Sequence, residues 1–173
     1  MLYYTCERIS LVFLVHLVDD FDEFIFDVRD VEEKYYLSEK AAKYVLSPGT
    51  KNFKTRTETD LDVARPLLQS MHKMHRACQD NYYSSDYIES KGLINPAKTK
   101  SKEELAKLPI RRITPEEAFL LQGFPEEFVT KARTSKVSDI ALYKQAGNAV
   151  SVNTIYAVLY FLIKNNIITE SEK

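Results

Sequence analysis

The chain has 173 residues, of which 45% are hydrophobic and 28% charged, which suits one ordinary domain with a buried core. A formal net charge of −1 excludes proteins that attract nucleic acid through their overall charge. Two cysteines do not make a disulfide framework, so we expect a reducing compartment, the cytoplasm.

The first predicted element is an apolar run at residues 10–18. It is too short to span a bilayer, which takes about 20 residues. Asp19 and Asp20 follow it, in place of the small-residue cleavage site of a signal peptide. We therefore predict a buried strand and expect no contact with a membrane.

Charge is distributed unevenly along the chain. Residues 19–40 hold nine acidic and three basic side chains, whereas residues 51–112 hold thirteen basic and eight acidic ones. A basic section of this kind suits contact with phosphates. A solvated surface explains the same charges, and composition alone leaves both interpretations open.

A helix is predicted at residues 37–46, where Ser38 is a suitable N-cap and apolar residues follow at helical spacing. The sequence SPGT at 47–50 ends it. Residues 51–110 are polar and irregular, and we expect at most one helical turn within 95–109.

The segment RRITPEEAFLLQGFP, residues 111–125, predicts a short helix of about two turns. Thr114 is a good N-cap, Pro115 suits the first helical position, and Glu117 completes a capping box. Gly123 is able to take the left-handed conformation that ends a helix, and a proline follows shortly after it.

The segment QAGNAV, residues 145–150, predicts a tight turn, because Gly147 and Asn148 stand side by side. A helix is predicted directly after it, at Val152–Lys164. Apolar residues cover most of the circumference of that helix. Such a helix needs cover on more than one side.

These last two segments resemble the C-terminal end of the DNA (cytosine-5) methyltransferases. The penultimate block of that family reads roughly R-x-L-T-P-x-E-x-x-x-L-Q-G-F-P, and the last block reads Q-x-G-N-[SA]-V-x-V. The first block is matched by Arg111, Ile113 (at the Leu position), Thr114, Pro115, Glu117, Leu121, Gln122, Gly123, Phe124 and Pro125. The second block is matched by Gln145, Gly147, Asn148, Ala149, Val150 and Val152. Two blocks in the right order and at the right distance make a specific signal.

The resemblance implies an α+β fold in two parts. Residues 34–110 would be a small target-recognition lobe of short strands and loops. Residues 111–173 would supply the C-terminal helices that normally complete the Rossmann-like methyltransferase domain. Residues 1–33 would be a remnant of the edge of the catalytic domain.

The resemblance also implies S-adenosylmethionine as cofactor. The last block of the family closes one side of the cofactor pocket, so Asn148, Ala149 and Val150 are expected to face the polar end of the cofactor. Residues 4–10, YTCERIS, resemble the end of the Q-x-R-x-R block. On that basis Arg8 is expected to contact O2 of the target cytosine, which family members flip out of the duplex.

The other catalytic groups of the family have no match in these residues. The family attacks C6 of cytosine with a Cys from a Pro-Cys loop, steadies N3 with a Glu, and holds the cofactor on a Gly-rich loop. Cys78 is followed by Gln79, but Ala77 stands where the family has Pro, and the position falls in the recognition region. The four glycines lie far apart. We therefore expect no nucleophile within this chain.

The densest group of DNA-compatible side chains lies at residues 72–87. Positive side chains neutralise phosphates, and polar ones bond base edges. The predicted DNA-binding residues are His72, Lys73, His75, Arg76, Gln79, Asn81, Tyr82 and Tyr83. A polar loop with structural aromatics is the alternative. A zinc site at His72, His75 and Cys78 lacks a fourth ligand and is disfavoured, so no metal is predicted.

The predicted function is therefore the DNA-recognition and cofactor-pocket-closing part of a DNA (cytosine-5) methyltransferase. Its partners would be duplex DNA and a chain that carries the Pro-Cys and Gly-rich motifs. If no such chain exists, this is a truncated form, which a disrupted reading frame or a new start codon would explain. The competing hypothesis is a non-enzymatic DNA-binding module derived from such an enzyme. An interaction protein unrelated to DNA would require both motif matches to be accidental.

Overall fold

The described part of the chain is mostly helical and contains two small pairs of antiparallel strands. The computed structural model describes residues 31–50, 53–165 and 167, so Arg8 and the strand predicted at 10–18 lie outside it. The helices are α1 Glu39–Leu46, α2 Ser85–Glu89, α3 Pro96–Thr99, α4 Lys102–Leu105, α5 Pro115–Leu121, α6 Glu126–Thr134, α7 Asp139–Asn148 and α8 Val152–Lys164. The strands are β1 Gly49–Thr50, β2 Phe53–Lys54, β3 Tyr82–Ser84 and β4 Ile110–Arg112, and 3-10 turns lie at Glu33–Tyr35 and Met71–Lys73.

The first helix begins where the sequence predicts. Ser38 is its N-cap and accepts a hydrogen bond from the Ala41 amide at 3.3 Å. Ala42, Val45 and Leu46 form its buried face. Between α1 and β4, however, the chain has more local structure than the expected single turn. It contains the β1–β2 pair, β3 and three short helices.

The pairing of β3 with β4 joins the predicted recognition region to the first motif segment. Tyr82 pairs with Arg112 and Ser84 with Ile110 in antiparallel register. This pairing crosses the boundary proposed at residue 110, and packing is continuous there. The division of the chain into three parts therefore stays a prediction.

Two hydrophobic clusters lie on opposite sides of β3, because successive strand residues point to opposite faces. The buried members of the first are Tyr35, Met71, Tyr83, Tyr87, Ile88, Ile113, Ala118, Phe119, Val129, Leu142, Tyr143 and Ala146. Those of the second are Ala42, Val45, Leu46, Ala77, Tyr82, Leu105, Ala106 and Ile110. The first cluster fixes α5, α6 and α7 against the recognition region.

The first motif segment forms the predicted capping box at the start of α5. The Thr114 hydroxyl accepts from the Glu117 amide at 3.2 Å, and the Glu117 carboxylate accepts from the Thr114 amide at 2.7 Å. Arg111 donates to both carboxylate oxygens of Glu117, at 2.7 and 2.6 Å. Both side chains are buried. The motif therefore builds a buried, bidentate ion pair at the base of the helix.

The second motif segment differs from its prediction. Residues 145–148 form the last turn of α7, and the chain leaves helical geometry only at Ala149. Gly147 is helical because α7 lies almost on the backbone of another segment. A Cβ at Gly147 would lie 2.2 Å from the Gln69 amide nitrogen and 2.3 Å from the Leu68 carbonyl carbon. Close approach of two backbones, and not a turn, explains this glycine.

By length and composition, Asp139–Lys164 is the one candidate for a membrane-spanning helix among the described residues. Two features of the structure argue against a continuous span. Extended backbone at Ala149 separates α7 from α8, and α7 buries Leu142, Tyr143 and Ala146 in the core. The remaining helix α8 has 13 residues, fewer than the roughly 20 that cross a bilayer.

Asp139, at the start of α7, accepts hydrogen bonds from three side chains. These are Tyr35 at 2.8 Å, Lys34 at 3.1 Å, and Arg133. Partial burial raises the pKa of Asp139, but the three donors outweigh it and bring the pKa to about 2. Because the folded pKa lies below the unfolded value of about 3.9, this carboxylate stabilises the fold above that pH and loses its effect towards about pH 2.

We therefore expect Asp139→Asn to flatten the acid limb of the stability profile. The free energy of unfolding should fall less between about pH 5 and about pH 2 in the variant than in the unchanged chain. Urea unfolding at a series of pH values measures this difference. Glu126→Gln, at an exposed carboxyl, is the control and should leave the acid limb unchanged. Equal slopes for Asp139→Asn and the unchanged chain would contradict the assignment.

Candidate cofactor turn and nucleic-acid interface

The side chain of Gln122 connects the two motif segments. Its Nε2 donates to the Ala146 carbonyl at 2.9 Å and lies 3.5 Å from the Ala149 carbonyl oxygen. The backbone carbonyl of Gln122 accepts from the Val152 amide at 2.8 Å. One residue thus bonds the C-terminal end of α7 and the first residue of α8. Gln122 holds the connection between these helices in place.

Gly123 completes this junction. Its φ of +80° is the left-handed conformation predicted for it, which an L side chain adopts at a cost. An added Cβ would also lie 2.9 Å from Oδ1 of Asn153. The glycine therefore permits both the turn after α5 and the close approach of α8.

Residues 148–150, the predicted cofactor contacts, lie at the connection between α7 and α8. Asn148 is exposed, Ala149 is half-buried and Val150 is 64% exposed. Ala149 is extended, and Ser151 caps α8 by accepting from the Thr154 amide at 3.4 Å. An exposed amide side chain beside the N-terminus of a helix fits the carboxylate end of an amino-acid-like cofactor.

Gln122→Ala tests whether this junction depends on the amide side chain. It leaves the carbonyls of Ala146 and Ala149 without that donor, so we expect a loss of about 1–2 kcal/mol in the free energy of unfolding. Hydrogen exchange at residues 146–152 should also become faster. Gln145→Ala is the matched control. Gln145 is exposed on α7, and its removal should change stability by less than about 0.5 kcal/mol. Equal effects of the two substitutions would refute the role given to Gln122.

The predicted DNA-binding residues fall into two groups. In the first, Lys73 and Gln79 are exposed, and His72, His75 and Arg76 are partly exposed. This group lies on the 3-10 turn Met71–Lys73 and the segment that follows it. We call these five residues the recognition turn.

Local hydrogen bonds fix the shape of the recognition turn. A ring nitrogen of His72 lies 3.2 Å from the Gln69 carbonyl oxygen, and one of His75 lies 3.0 Å from the Ser70 hydroxyl. Arg76 donates from Nε to the Ser47 hydroxyl at 3.0 Å. Its guanidinium carbon lies 5.1 Å from the centre of the Tyr44 ring. The guanidinium of Arg76 is therefore held in place at the surface.

The second group is buried, so DNA contact does not fit its position. Tyr82 and Tyr83 are 1% and 2% exposed, and the Tyr82 hydroxyl donates to the His75 carbonyl at 2.6 Å. Asn81 bonds both the amide and the carbonyl of Arg65, at 2.8 and 3.0 Å. Tyr82 therefore holds the recognition turn through His75, and Asn81 holds the backbone of Arg65. Burial makes all three side chains structural, which corrects their prediction as DNA contacts. Both tyrosines fill the β3 core, which composition alone could not distinguish from a stacking surface.

Sequence reasoning also missed Arg112. Its guanidinium carbon lies 5.6 Å from the ring centre of Tyr35 and 5.4 Å from that of Tyr143. Its Nη1 donates to the His72 carbonyl at 3.2 Å. Arg112 therefore links β4 to the recognition turn. Its place beside Arg111 in the motif was the available signal.

No group of three or more metal-ligating side chains is found in the described part of the chain. The spacing of His72, His75 and Cys78 thus does not bring their side chains together as a metal site there.

Comparison with known proteins identifies the family. The model of the C-5 cytosine-specific DNA methylases matches residues 18–164. The chain belongs to this family. The match includes both motif segments, the recognition turn and α8.

Individual relatives match shorter stretches. The orphan methyltransferase M.SPRI of Bacillus phage SPR is 42% identical over 69 residues, which is 40% of this chain and 16% of that protein. The type II methyltransferase M1.ScrFI of Lactococcus lactis subsp. cremoris is 52% identical over 48 residues, 28% of this chain and 11% of that protein. The chain therefore spans only a small part of the length of these relatives.

The fold resembles part of a solved methyltransferase. The Entamoeba histolytica methyltransferase EhMeth matches with a TM-score of 0.55 and 20% identity, covering 82% of this chain and 40% of that chain. At this identity the likeness concerns the fold alone. The described part is mostly helical with small strand pairs. This agrees with the α+β prediction at a coarse level.

Proposed function

We propose that this chain is the DNA-recognition and cofactor-pocket-closing part of a DNA (cytosine-5) methyltransferase. The observation that carries the proposal is the junction at Gln122. There the two motif segments of the family meet and present residues 148–150 at the surface. Membership of the family supports duplex DNA as the substrate, and the recognition turn is the surface we assign to it.

The recognition turn binds DNA mainly through charge. Lys73 is exposed and Arg76 partly exposed, and both are able to neutralise phosphates. His72, His75 and Gln79 offer hydrogen bonds to base edges or phosphates. Two neutralised phosphates would make log K fall with log salt at a slope of about −1.8.

On the cofactor side, S-adenosylmethionine supplies the methyl group when it is bound. Asn148 and the N-terminus of α8 would hold its polar end, and Val150 would offer an apolar contact beside it. Gln122 orients this connection without touching the cofactor. Arg8 is proposed to contact O2 of the flipped cytosine. The thiol, the acid and the Gly-rich loop come from the remainder of the methyltransferase domain, in this polypeptide or in a partner chain.

Helix α8 is the surface on which that remainder packs. None of its residues is buried among the described part of the chain, and Ile155, Tyr156, Leu159 and Ile163 are each about half exposed. A helix that is apolar around its circumference is stable in water only when other structure covers it. Exposed apolar surface of this extent marks an interaction site.

DNA binding by the recognition turn is tested with the full chain and a labelled duplex. We expect Lys73→Ala and Arg76→Gln each to weaken binding and to lower the slope of log K against log salt by about 1. Fluorescence anisotropy at several salt concentrations gives both quantities. Lys131→Ala, an exposed lysine on α6, serves as control and should change neither. Slopes that remain unchanged in all three variants would reject the recognition turn as the DNA surface.

A non-enzymatic DNA-binding module is the second candidate. The two hydrophobic clusters favour this candidate, because the described residues alone pack the segment that carries the recognition turn. Such a module binds DNA without a catalytic part. Co-expression with a catalytic part of a family member separates the two functions. The methyltransferase proposal expects a stable complex that protects α8 from hydrogen exchange, and the module expects none.

A further inference from the structure

Two adjacent aliphatic side chains stand in solvent at the tip of the loop formed by residues 90–95. Leu93 is 90% exposed and Ile94 is 59% exposed. Leaving a leucine side chain almost wholly in water forgoes the stabilisation that its burial provides. A loop that holds two such residues outward has a reason other than the stability of the fold.

The tip is held rigidly. The Gly92 amide donates to the Tyr87 carbonyl at 2.8 Å, and the Leu93 amide donates to the Ser90 carbonyl at 3.1 Å. The Ile94 amide donates to the Ser90 hydroxyl at 2.8 Å. Gly92 has a φ of +82°, and a Cβ added there would lie 3.4 Å from the Tyr87 hydroxyl oxygen. The two aliphatic side chains are therefore positioned before any partner arrives.

The base of the loop is attached to the core near the recognition turn. Asn95 donates from Nδ2 to the Asp60 carbonyl at 2.7 Å. The Asp60 carboxylate in turn accepts from the Ser84 amide, at the end of β3, at 2.6 Å. The neighbouring β3 residue Tyr82 donates to the His75 carbonyl of the recognition turn. The tip and the recognition turn are thus both connected to β3 by hydrogen bonds.

The surroundings of the tip are basic. Residues 91–107 contain five lysines and two glutamates. Lys91 lies two residues before Leu93 and is exposed, as is Lys100. Lys98 is exposed and pairs with Asp62 at 3.2 Å. Charge of this sign, around a small apolar tip, complements a phosphate backbone on either side of stacked bases.

The size of the tip distinguishes DNA from protein as its partner. A stable protein interface buries about 800 Å² on each side, far more than two side chains provide. Among residues 75–127, which the structure describes in full, no other large hydrophobic side chain is exposed. Apolar wedges of one or two residues are what proteins insert between base steps to unstack and kink a duplex.

We propose that Leu93 and Ile94 form an apolar wedge that enters a base step of the bound duplex while the recognition turn holds the backbone. The inference rests on the proposed DNA-recognition function. The wedge adds a second contact with DNA, which apolar side chains make with the bases and which does not depend on charge. The wedge unstacks the step that it enters and bends the DNA there.

Permanganate, which oxidises unstacked thymines, tests the wedge on a long duplex bound by the full chain. We expect the unchanged chain to create reactive thymines within its binding sites. The double variant Leu93→Ser/Ile94→Ser should return reactivity to the level of free DNA. Its Kd should rise no more than about tenfold, and the salt slope should persist. Ile140→Ser, at a residue 53% exposed on α7, is the matched control and should retain full reactivity.

Each other outcome has a distinct meaning. Binding without reactive thymines, or equal reactivity in the double variant, overturns the wedge and leaves the proposed function standing. No salt-dependent binding by the unchanged chain overturns the proposed function and the wedge with it. If the double variant changes the oligomeric state while DNA reactivity stays the same, the tip is a protein contact and the wedge is wrong. Circular dichroism of each variant checks that it is folded.

Discussion

Gly147→Ala is expected to destabilise the fold by about 3 kcal/mol, although the residue is helical. Helix propensity alone predicts the opposite sign, a gain of about 1 kcal/mol. The added methyl group would lie 2.2 to 2.6 Å from backbone atoms of Leu68 and Gln69. Backbone atoms cannot rotate away, so α7 must move off the segment below it. Urea unfolding of the variant measures the change.

Gly123→Ala is the matched comparison. Its methyl group would meet only the side chain of Asn153, which is able to turn aside, so the cost should be that of the left-handed backbone, about 1–2 kcal/mol. We therefore expect Gly147→Ala to be the more damaging of the two. A stabilised Gly147→Ala variant would mean that α7 does not pack on residues 68 and 69.

Breaking the buried pair of Arg111 and Glu117 is the second change with a large expected effect. Removing one partner leaves the other charge buried and unpaired, which costs about 3–5 kcal/mol. We expect this loss for Arg111→Met and for Glu117→Gln. Because Glu117 also accepts from the Thr114 amide, Glu117→Leu should additionally weaken the start of α5. Urea denaturation of each variant gives the free energies of unfolding.

A double-mutant cycle separates the pair from its surroundings. Arg111→Met/Glu117→Leu should cost clearly less than the sum of the two single changes, because no unpaired charge remains. The exposed pair of Lys131 and Glu127 on α6 is the control, and Lys131→Ala should cost less than about 0.5 kcal/mol. Additive losses at Arg111 and Glu117 would show that the two side chains act independently.

Local signals in the sequence were sufficient for α1 and α5. The N-cap and capping-box residues Ser38, Thr114 and Glu117 act within one helical turn, so their spacing carries the information. The start and end of α8 follow from its apolar period in the same way. The left-handed Gly123 was also predictable, since an early proline prevents any continuation of α5.

Contacts between distant segments could not be predicted. Gly147 was assigned to a turn because a glycine beside an asparagine usually forms one. Its helical conformation depends on Leu68 and Gln69, more than seventy residues earlier. Helix α7 was missed for the same reason, although Ser138 at its N-cap was a usable signal. Long-range packing here overrides a local preference.

The candidate site also combines features that the sequence predicts with features that only the folded chain reveals. Membership of the family was predictable from the two motif segments, and the family match over residues 18–164 confirms it. The bonds of Gln122 to α7 and α8, and the burial of Tyr82 and Tyr83, required the folded chain. Aromatic residues in a basic segment are equally typical of a stacking surface and of a core, and only β3 pairing decides between them.

The most direct test of the central claim measures DNA binding and methyl transfer in one sample. The full chain is mixed with duplex DNA and S-adenosylmethionine that carries a tritiated methyl group. We predict salt-dependent binding of the duplex and no tritium in the DNA, because we propose that the reactive thiol lies outside these 173 residues. Tritiated cytosine in the product, or a chain that does not bind the duplex at any salt concentration, would contradict it.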